Sequence, residues 1–181
     1  MYDCIDHCSA PVLGSAWYLH AWITFVSTVS TLPPQIALYE ATGERLHLTR
    51  ATEIAHKLCV SLPNSAGCNG KVVEHYTSEW KPDPEKNKDV DPASEEYIFR
   101  PFGFQPGHSF EWVKLIVMIE RLHTAAGSSE DERGWMVPTA ELLFKTACEC
   151  GWDSDRGGLC CELPATLPTS TLGCLHTRLL C

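Results

Sequence analysis

The run Arg100-Pro-Phe-Gly-Phe-Gln-Pro-Gly-His-Ser-Phe-Glu-Trp112, continuing through Val113-Lys-Leu-Ile-Val-Met-Ile-Glu-Arg-Leu122, decides how this chain is read. Pro101 and Pro106 have no backbone N–H to donate, and Gly103 and Gly107 permit turns closed to other residues. Regular apolar spacing begins only after His108, with Phe110, Val113, Ile116, Val117 and Met118 apolar and Lys114, Glu120 and Arg121 polar. The pattern predicts a shaped loop feeding a helix over 109–122. That helix is apolar around nearly its whole girth, which suits the inner layer of a two-layer helical array. His108 and Glu111 are three residues apart, so in the first turn of a helix their side chains would project from one face. The positive end of the helix at that point favours an ionised carboxylate and oxygen-rich ligands.

Working outward, the flanking segments also read as helices joined by turns. Pro34 to Tyr39 reads as the end of a helix stopped at Thr42-Gly43. Over Leu46–Leu62, Ala51, Ile54, Ala55 and Leu58 follow the i, i+3, i+4, i+7 rhythm of an amphipathic helix, and His47 and His56 sit among its charged residues as surface histidines. Residues 63–70 form a turn cluster, and Lys71 to Tyr76 is a candidate short strand. Glu79 to Glu96 is a long, charged, Pro-containing loop of the kind that often carries function. Past the polar connection 127–133, Pro138 fits the first position of another helix with Ala140, Leu143, Phe144 and Ala147 as its apolar stripe. Trp152 to Gly158 reads as a turn leading to an extended piece over Leu159–Leu163. From Pro164 onward no periodicity is visible. The expected fold class is all-α.

Composition narrows the function. The chain has 181 residues, 44% of them hydrophobic and 20% charged, which describes one globular domain. A formal charge of −9, with 14 scattered Lys and Arg, argues against a nucleic-acid surface and for a neutral or polar small ligand. The stretch from Cys8 to Tyr39 lacks Asp, Glu, Lys and Arg, but its Ser, Thr and His residues and the closing Pro33-Pro34 argue against a membrane span. Asp3 and Asp6, with no basic residue, do not resemble a secretory leader. Ten cysteines, six of them after residue 147, show no regular disulfide spacing and are expected as thiols. Cys148, Cys150, Cys160, Cys161 and His176 lack the paired C-x-x-C spacing of a zinc site.

The segment Pro106-Gly-His-Ser-Phe-Glu-Trp112 resembles the Pro-Gly-His-x-x-Glu-Trp segment of the N-acylglucosamine 2-epimerase superfamily, in its mannose-isomerase-like branch. Leu38-Tyr-Glu-Ala-Thr-Gly-Glu44, Val73-Glu-His-Tyr-Thr-Ser-Glu-Trp80 and Gly151-Trp-Asp-Ser-Asp-Arg-Gly-Gly158 fit the same family in the same order. The resemblance implies a partial (α/α)6 barrel over residues 35–163, an incomplete array of antiparallel helical hairpins. An unrecognised apolar segment (1–34) precedes it and an irregular tail (164–181) follows. It also implies a cytoplasmic sugar isomerase or 2-epimerase whose partner is a small-molecule sugar, with no cofactor and no metal; oligomeric state stays open. Family members are more than twice this length, and their second catalytic histidine has no counterpart here. The expectation is therefore an inactive or impaired fragment, with a non-catalytic helical fragment or carbohydrate-binding remnant as the alternative.

Within that frame His108 is the expected acid/base. An ordinary imidazole titrates near 6.5, so it can take and return a proton at C2 of an open-chain sugar. Glu111 would orient His108 or bond sugar hydroxyls. Trp112 offers either an apolar wall for a sugar ring or a core side chain. Arg100 is a weak candidate for a sugar oxygen or an intermediate's negative charge. His75, at the entrance to the acidic loop, is expected either near the barrel mouth, as the resemblance implies, or as a structural histidine.

Overall fold

The computed structural model describes residues 22–24, 31–64, 68, 70–91, 93–95, 97, 100–160 and 162–164. The expectations for most of the apolar start, and for the tail with His176, lie outside the described residues.

Helix α1, Leu32–Thr42, carries Pro33 and Pro34 in its first turn, where a fixed φ and a missing donor are tolerated. The prolines thus open the helix, where the sequence suggested that they close the preceding apolar segment. Gly43 closes it in the left-handed region (φ 72), its N–H donating to Tyr39 O at 2.8 Å. Helix α2, Arg45–His56, runs on as a π-helical turn over Lys57–Ser61 and buries Leu48, Ala51, Ala55 and Leu58. Ala51, Ala55 and Leu58 are positions expected from their spacing; Leu48 adds to them, and Ile54 is only partly buried.

Helix α3, Pro106–Ala125, begins on Pro106, so His108 is its third residue. It buries Pro106, Ser109, Trp112, Leu115, Ile116, Ile119 and His123, a face of period 3.6. Val117 is 40% exposed, so the helix is amphipathic where the sequence predicted near-complete burial. One turn, α4 (Glu130–Arg133), follows behind a capping box formed by Ser129 and Glu132. Helix α5, Met136–Gly151, starts before Pro138, which therefore sits in its first turn rather than at its first position. Ala140, Leu143 and Ala147 are buried as expected, whereas Phe144 is 52% exposed and meets Phe110 edge-on at 5.3 Å.

The helices pair as antiparallel neighbours: α1 packs on α2, α3 on α5, and α2 joins the two pairs through α3. Two short antiparallel pairings complete the elements. In one, β1 (Trp22–Thr24) runs beside β2 (His75–Thr77), with Ile23 opposite Tyr76; in the other, β3 (Trp152–Asp153) pairs with β4 (Gly158–Leu159). Leu32, Ile36, Leu48, Leu58, Tyr76, Phe104, Trp112, Ile116, Ile119, Met136 and Leu143 are fully buried and fill the space between the helices. Cys59, Cys68, Cys148, Cys150 and Cys160 carry thiols rather than disulfides. Among the described residues no helix is long and apolar enough to cross a membrane.

One polar cluster is internal. Thr52 Oγ1 donates its proton to Leu48 O at 2.8 Å, so it accepts from His123 Nε2–H at 2.8 Å. His123 Nδ1 is then the acceptor for the Ser128 hydroxyl at 2.7 Å. The bonds tie the end of α3 to α2 and to the connection that follows. Burial holds the His123 imidazole below its ordinary pKa, in keeping with a neutral ring.

The start of α3 touches the end of α5 at Gly151, where an added Cβ would lie 2.5 Å from Pro106 Cβ. Gly107, one residue further into α3, faces open space within 4 Å. The account therefore predicts opposite outcomes for two Gly→Ala changes. Gly151→Ala should destabilise by about 1–3 kcal/mol through overpacking. Gly107→Ala should be neutral or stabilise by up to about 1 kcal/mol through helix propensity. Urea unfolding followed by circular dichroism measures both. Equal stabilities for Gly151→Ala and the parent would contradict the close packing of these helix ends.

Candidate active site

His108 stands in the first turn of α3, and its Nδ1 lies 2.9 Å from Glu74 Oε1. Glu74 comes from the bend just before β2, 34 residues earlier. The Glu74 side chain is 1% exposed and that of His108 is 24% exposed, so the carboxylate is interior and the imidazole is reachable from solvent. Burial pushes the Glu74 carboxyl above its ordinary value; the His108 hydrogen bond and charge, and a hydrogen bond from Gln105 at the helix start, pull it back. Glu111, exposed on the next turn of α3, pushes it up further by its own charge. The carboxylate bonded to His108 is thus Glu74, not Glu111. The i, i+3 rule led to a partner within the helix; the actual partner comes from a segment brought in by the fold. The available signal was a lone Glu set in the apolar run Val72-Val73-Glu74 and ahead of Tyr76, a context in which a carboxylate needs a specific partner.

The other sequence-derived candidates separate. His75, next to Glu74, is 1% exposed, and its Nε2 lies 2.7 Å from Pro101 O. A carbonyl only accepts, so Nε2 carries the proton. Burial pushes the His75 imidazole below its ordinary value, with the Pro101 and Arg100 carbonyls partly offsetting this. It takes the structural alternative. Trp112 is 0% exposed and takes the core alternative. Arg100 is exposed at the loop leading into α3, and its carbonyl accepts from Asn87 Nδ2 at 2.6 Å. Asn87, from the acidic loop, was not among the candidates.

The loop itself is held along its length. Glu74 N–H donates to Gly103 O at 2.9 Å, and Phe104 exchanges two backbone bonds of 2.8 Å with Leu163. Gly103 (φ 74) lies so close to this pairing that a Cβ would meet Leu163 O at 2.4 Å. A cleft of about 460 Å³, lined by residues that include Thr52, His56, Lys57, His123 and Trp135, opens near the other end of α3. His123 lies roughly 22 Å along the helix from His108 at about 1.5 Å per residue, so that cleft is not the His108–Glu74 site. Among the described residues no three His, Cys, Asp or Glu side chains gather as a metal-binding set.

Fold and site define an all-α array of antiparallel helical hairpins that presents a histidine–carboxylate pair at the N-terminus of a helix. The family model described as N-acylglucosamine 2-epimerase (GlcNAc 2-epimerase) matches residues 30–170, and the chain belongs to that family. It is 40% identical to the D-mannose isomerase of Pseudomonas cannabina pv. alisalensis over 121 residues, 66% of this chain and 27% of that protein. It is 36% identical to the D-mannose isomerase of Marinomonas mediterranea over 124 residues, 68% of this chain and 28% of that protein. A crystal structure of D-mannose isomerase aligns with a TM-score of 0.67 and 30% identity, over 81% of this chain and 34% of that one. The fold is accordingly an all-α portion of the (α/α)6 barrel, in the mannose-isomerase-like branch, and the chain spans about a third or less of these relatives.

The raised Glu74 value fixes the sign of a stability test. A carboxyl whose folded pKa lies above its unfolded value of 4.5 holds its proton more tightly when folded. Its effect favours folding fully below 4.5 and is lost as pH rises through the folded value. Glu74→Gln keeps the shape and removes the buried charge. The variant should melt at or above the parent's temperature at pH 7, and the difference should vanish near pH 4, which scanning fluorimetry across pH would show. A variant that loses stability at pH 7 but not at pH 4 would contradict the assignment.

Proposed function

We propose that the His108–Glu74 pair is the proton-transferring half of a sugar isomerase or 2-epimerase site acting on an open-chain aldose of the mannose type. The single observation that carries this is the 2.9 Å contact between a buried carboxylate and His108 Nδ1. A carboxylate on Nδ1 holds the proton there, leaves Nε2 as the base, and stabilises the imidazolium once Nε2 has taken a proton. The base removes the proton on C2. The C2–H electrons form the C1=C2 bond, and the C1 carbonyl becomes an oxyanion. The O2 hydroxyl proton passes to O1, and the imidazolium returns its proton to C1 to give the ketose. Inversion at C2 would need a donor on the opposite face of the enediolate. Arg100, exposed on the preceding loop, supplies positive charge to the oxyanion, and Glu111 bonds a sugar hydroxyl. The relatives named D-mannose isomerase, together with the family match, support this substrate class. We also place the activity in the cytoplasm, where sugar phosphates and free hexoses are interconverted.

A second reading, a non-catalytic helical or carbohydrate-binding unit, draws on a different observation. Val117, Val137, Leu142 and Phe144 are 40–56% exposed on α3 and α5, and the relatives are several-fold longer. Deuterium wash-in at C2 of D-mannose in D₂O, followed by proton NMR, separates the two. We expect exchange without formation of the 2-epimer, and a fall of roughly 10²–10⁴-fold in His108→Ala, the usual contribution of a general acid–base group. Equal exchange in parent and variant would remove His108 as the base, and no exchange above the buffer rate would favour the non-catalytic reading.

A further inference from the structure

We propose that His75 and Asn87 are positioning residues, which grip two consecutive carbonyls of the loop before α3 and thereby set Arg100 and His108 against Glu74. The inference rests on the isomerase reading above for its catalytic consequence, but not for its geometry.

The two contacts are unusual in their arrangement. Asn87 Nδ2–H donates to Arg100 O at 2.6 Å, and His75 Nε2–H donates to Pro101 O at 2.7 Å. Both side chains are buried, at 8% and 1% exposure, so water does not substitute for them as it does on most loops. Losing the His75 Nε2–H would take its donor from the carbonyl of Pro101, a buried residue. His75, the first residue of β2, directly follows Glu74, which sits at the bend before that strand. One side chain of this pair holds the His108 ring and the next holds the Pro101 carbonyl. A single two-residue step therefore fixes both ends of the loop from Pro101 to His108. Glu74 contributes a third tie through its own N–H to Gly103 O at 2.9 Å.

Asn87 carries its own sign of selection by geometry. Its φ is 65, in the left-handed region, which Asn tolerates better than other side-chain-bearing residues. Glycine would fill the backbone role equally well, so the amide is what distinguishes Asn here. The acidic loop thus reaches back to the catalytic segment, and its length is needed to deliver this one donor to Arg100 O. A displacement of reacting groups by about 1 Å can lower a rate by about 10²-fold, so releasing either carbonyl should be felt at His108.

The test uses three variants of the 181-residue chain. Asn87→Gly preserves the left-handed backbone and removes the amide, His75→Leu removes the ring donor, and His75→Gln supplies a replacement N–H. Two readouts are taken: the ring nitrogen and carbon NMR signals of His108, and kcat and KM for C2 exchange of D-mannose in D₂O. Asn87→Gly and His75→Leu should shift the His108 ring signals and lower kcat by roughly 10–10²-fold with KM moving far less. His75→Gln should restore both towards the parent. If His75→Leu does not fold, Asn87→Gly decides alone. Unchanged His108 signals in a folded Asn87→Gly chain overturn the proposal, whatever its stability. If the parent shows no exchange, the isomerase reading fails, while the His108 signals still decide the positioning role.

Discussion

A carboxylate buried at 1% exposure beside a histidine is the constraint on which the rest of this structure depends. An isolated ionised carboxylate in an apolar interior is strongly disfavoured, so Glu74 is tolerable only with compensating groups at fixed distances. His108 supplies one and the Gln105 backbone supplies another, both from the first turn of α3, where the helix dipole also favours negative charge. The start of α3 must then be held against the bend that carries Glu74, just before β2. Gly151 allows α5 to close on Pro106, Phe104 pairs with Leu163, and Gly103 admits Leu163 O where any side chain would collide. Gly103, Pro106 and Gly151 thus serve one requirement, to bring a helix N-terminus to a buried charge.

Much of the helical framework was legible in the sequence, because it depends on local chemistry. Apolar spacing located α2 and α3, Gly43 ended α1, and the resemblance over Pro106–Trp112 pointed to the right family. The misses share a cause. Glu111 was paired with His108 because side chains three apart on a helix are neighbours, a rule that knows nothing of Glu74. Pro138 was read as a helix start two residues too late, and Pro33-Pro34 as the close of an apolar segment rather than the opening of α1, since a first turn accepts proline at more than one position. Phe144 fell on the predicted stripe, yet it lies beside Phe110 at the surface, because the stripe's width is set by the neighbouring helix rather than by periodicity. Asn87 offered no signal at all. A side chain reaching a carbonyl 13 residues away from inside an acidic loop leaves no spacing to detect.

The same comparison separates what holds the fold from what could do chemistry. His75 and Trp112 belong to the two motifs nearest the site, but both are interior, and His75 faces the backbone carbonyls of Pro101 and Arg100. His108 alone among the candidates combines a buried carboxylate partner with a side chain 24% open to solvent. At the far end of α3, His123 is also bonded through both ring nitrogens, but to the hydroxyls of Thr52 and Ser128, which cannot stabilise an imidazolium as a carboxylate does. Two histidines on one helix thus differ in what faces Nδ1, a carboxylate at His108 and a hydroxyl at His123.

The central claim is that Glu74 fixes the proton of His108 on Nδ1 and leaves Nε2 as the base. Long-range nitrogen–carbon NMR correlation of the histidine rings, at a pH where the ring is neutral, reads that tautomer directly. The account predicts a protonated Nδ1 and a lone pair on Nε2 for His108, with the Nδ1 proton shifted far downfield by a short bond to carboxylate. A His108 ring carrying its proton on Nε2, with Nδ1 bare, would contradict it.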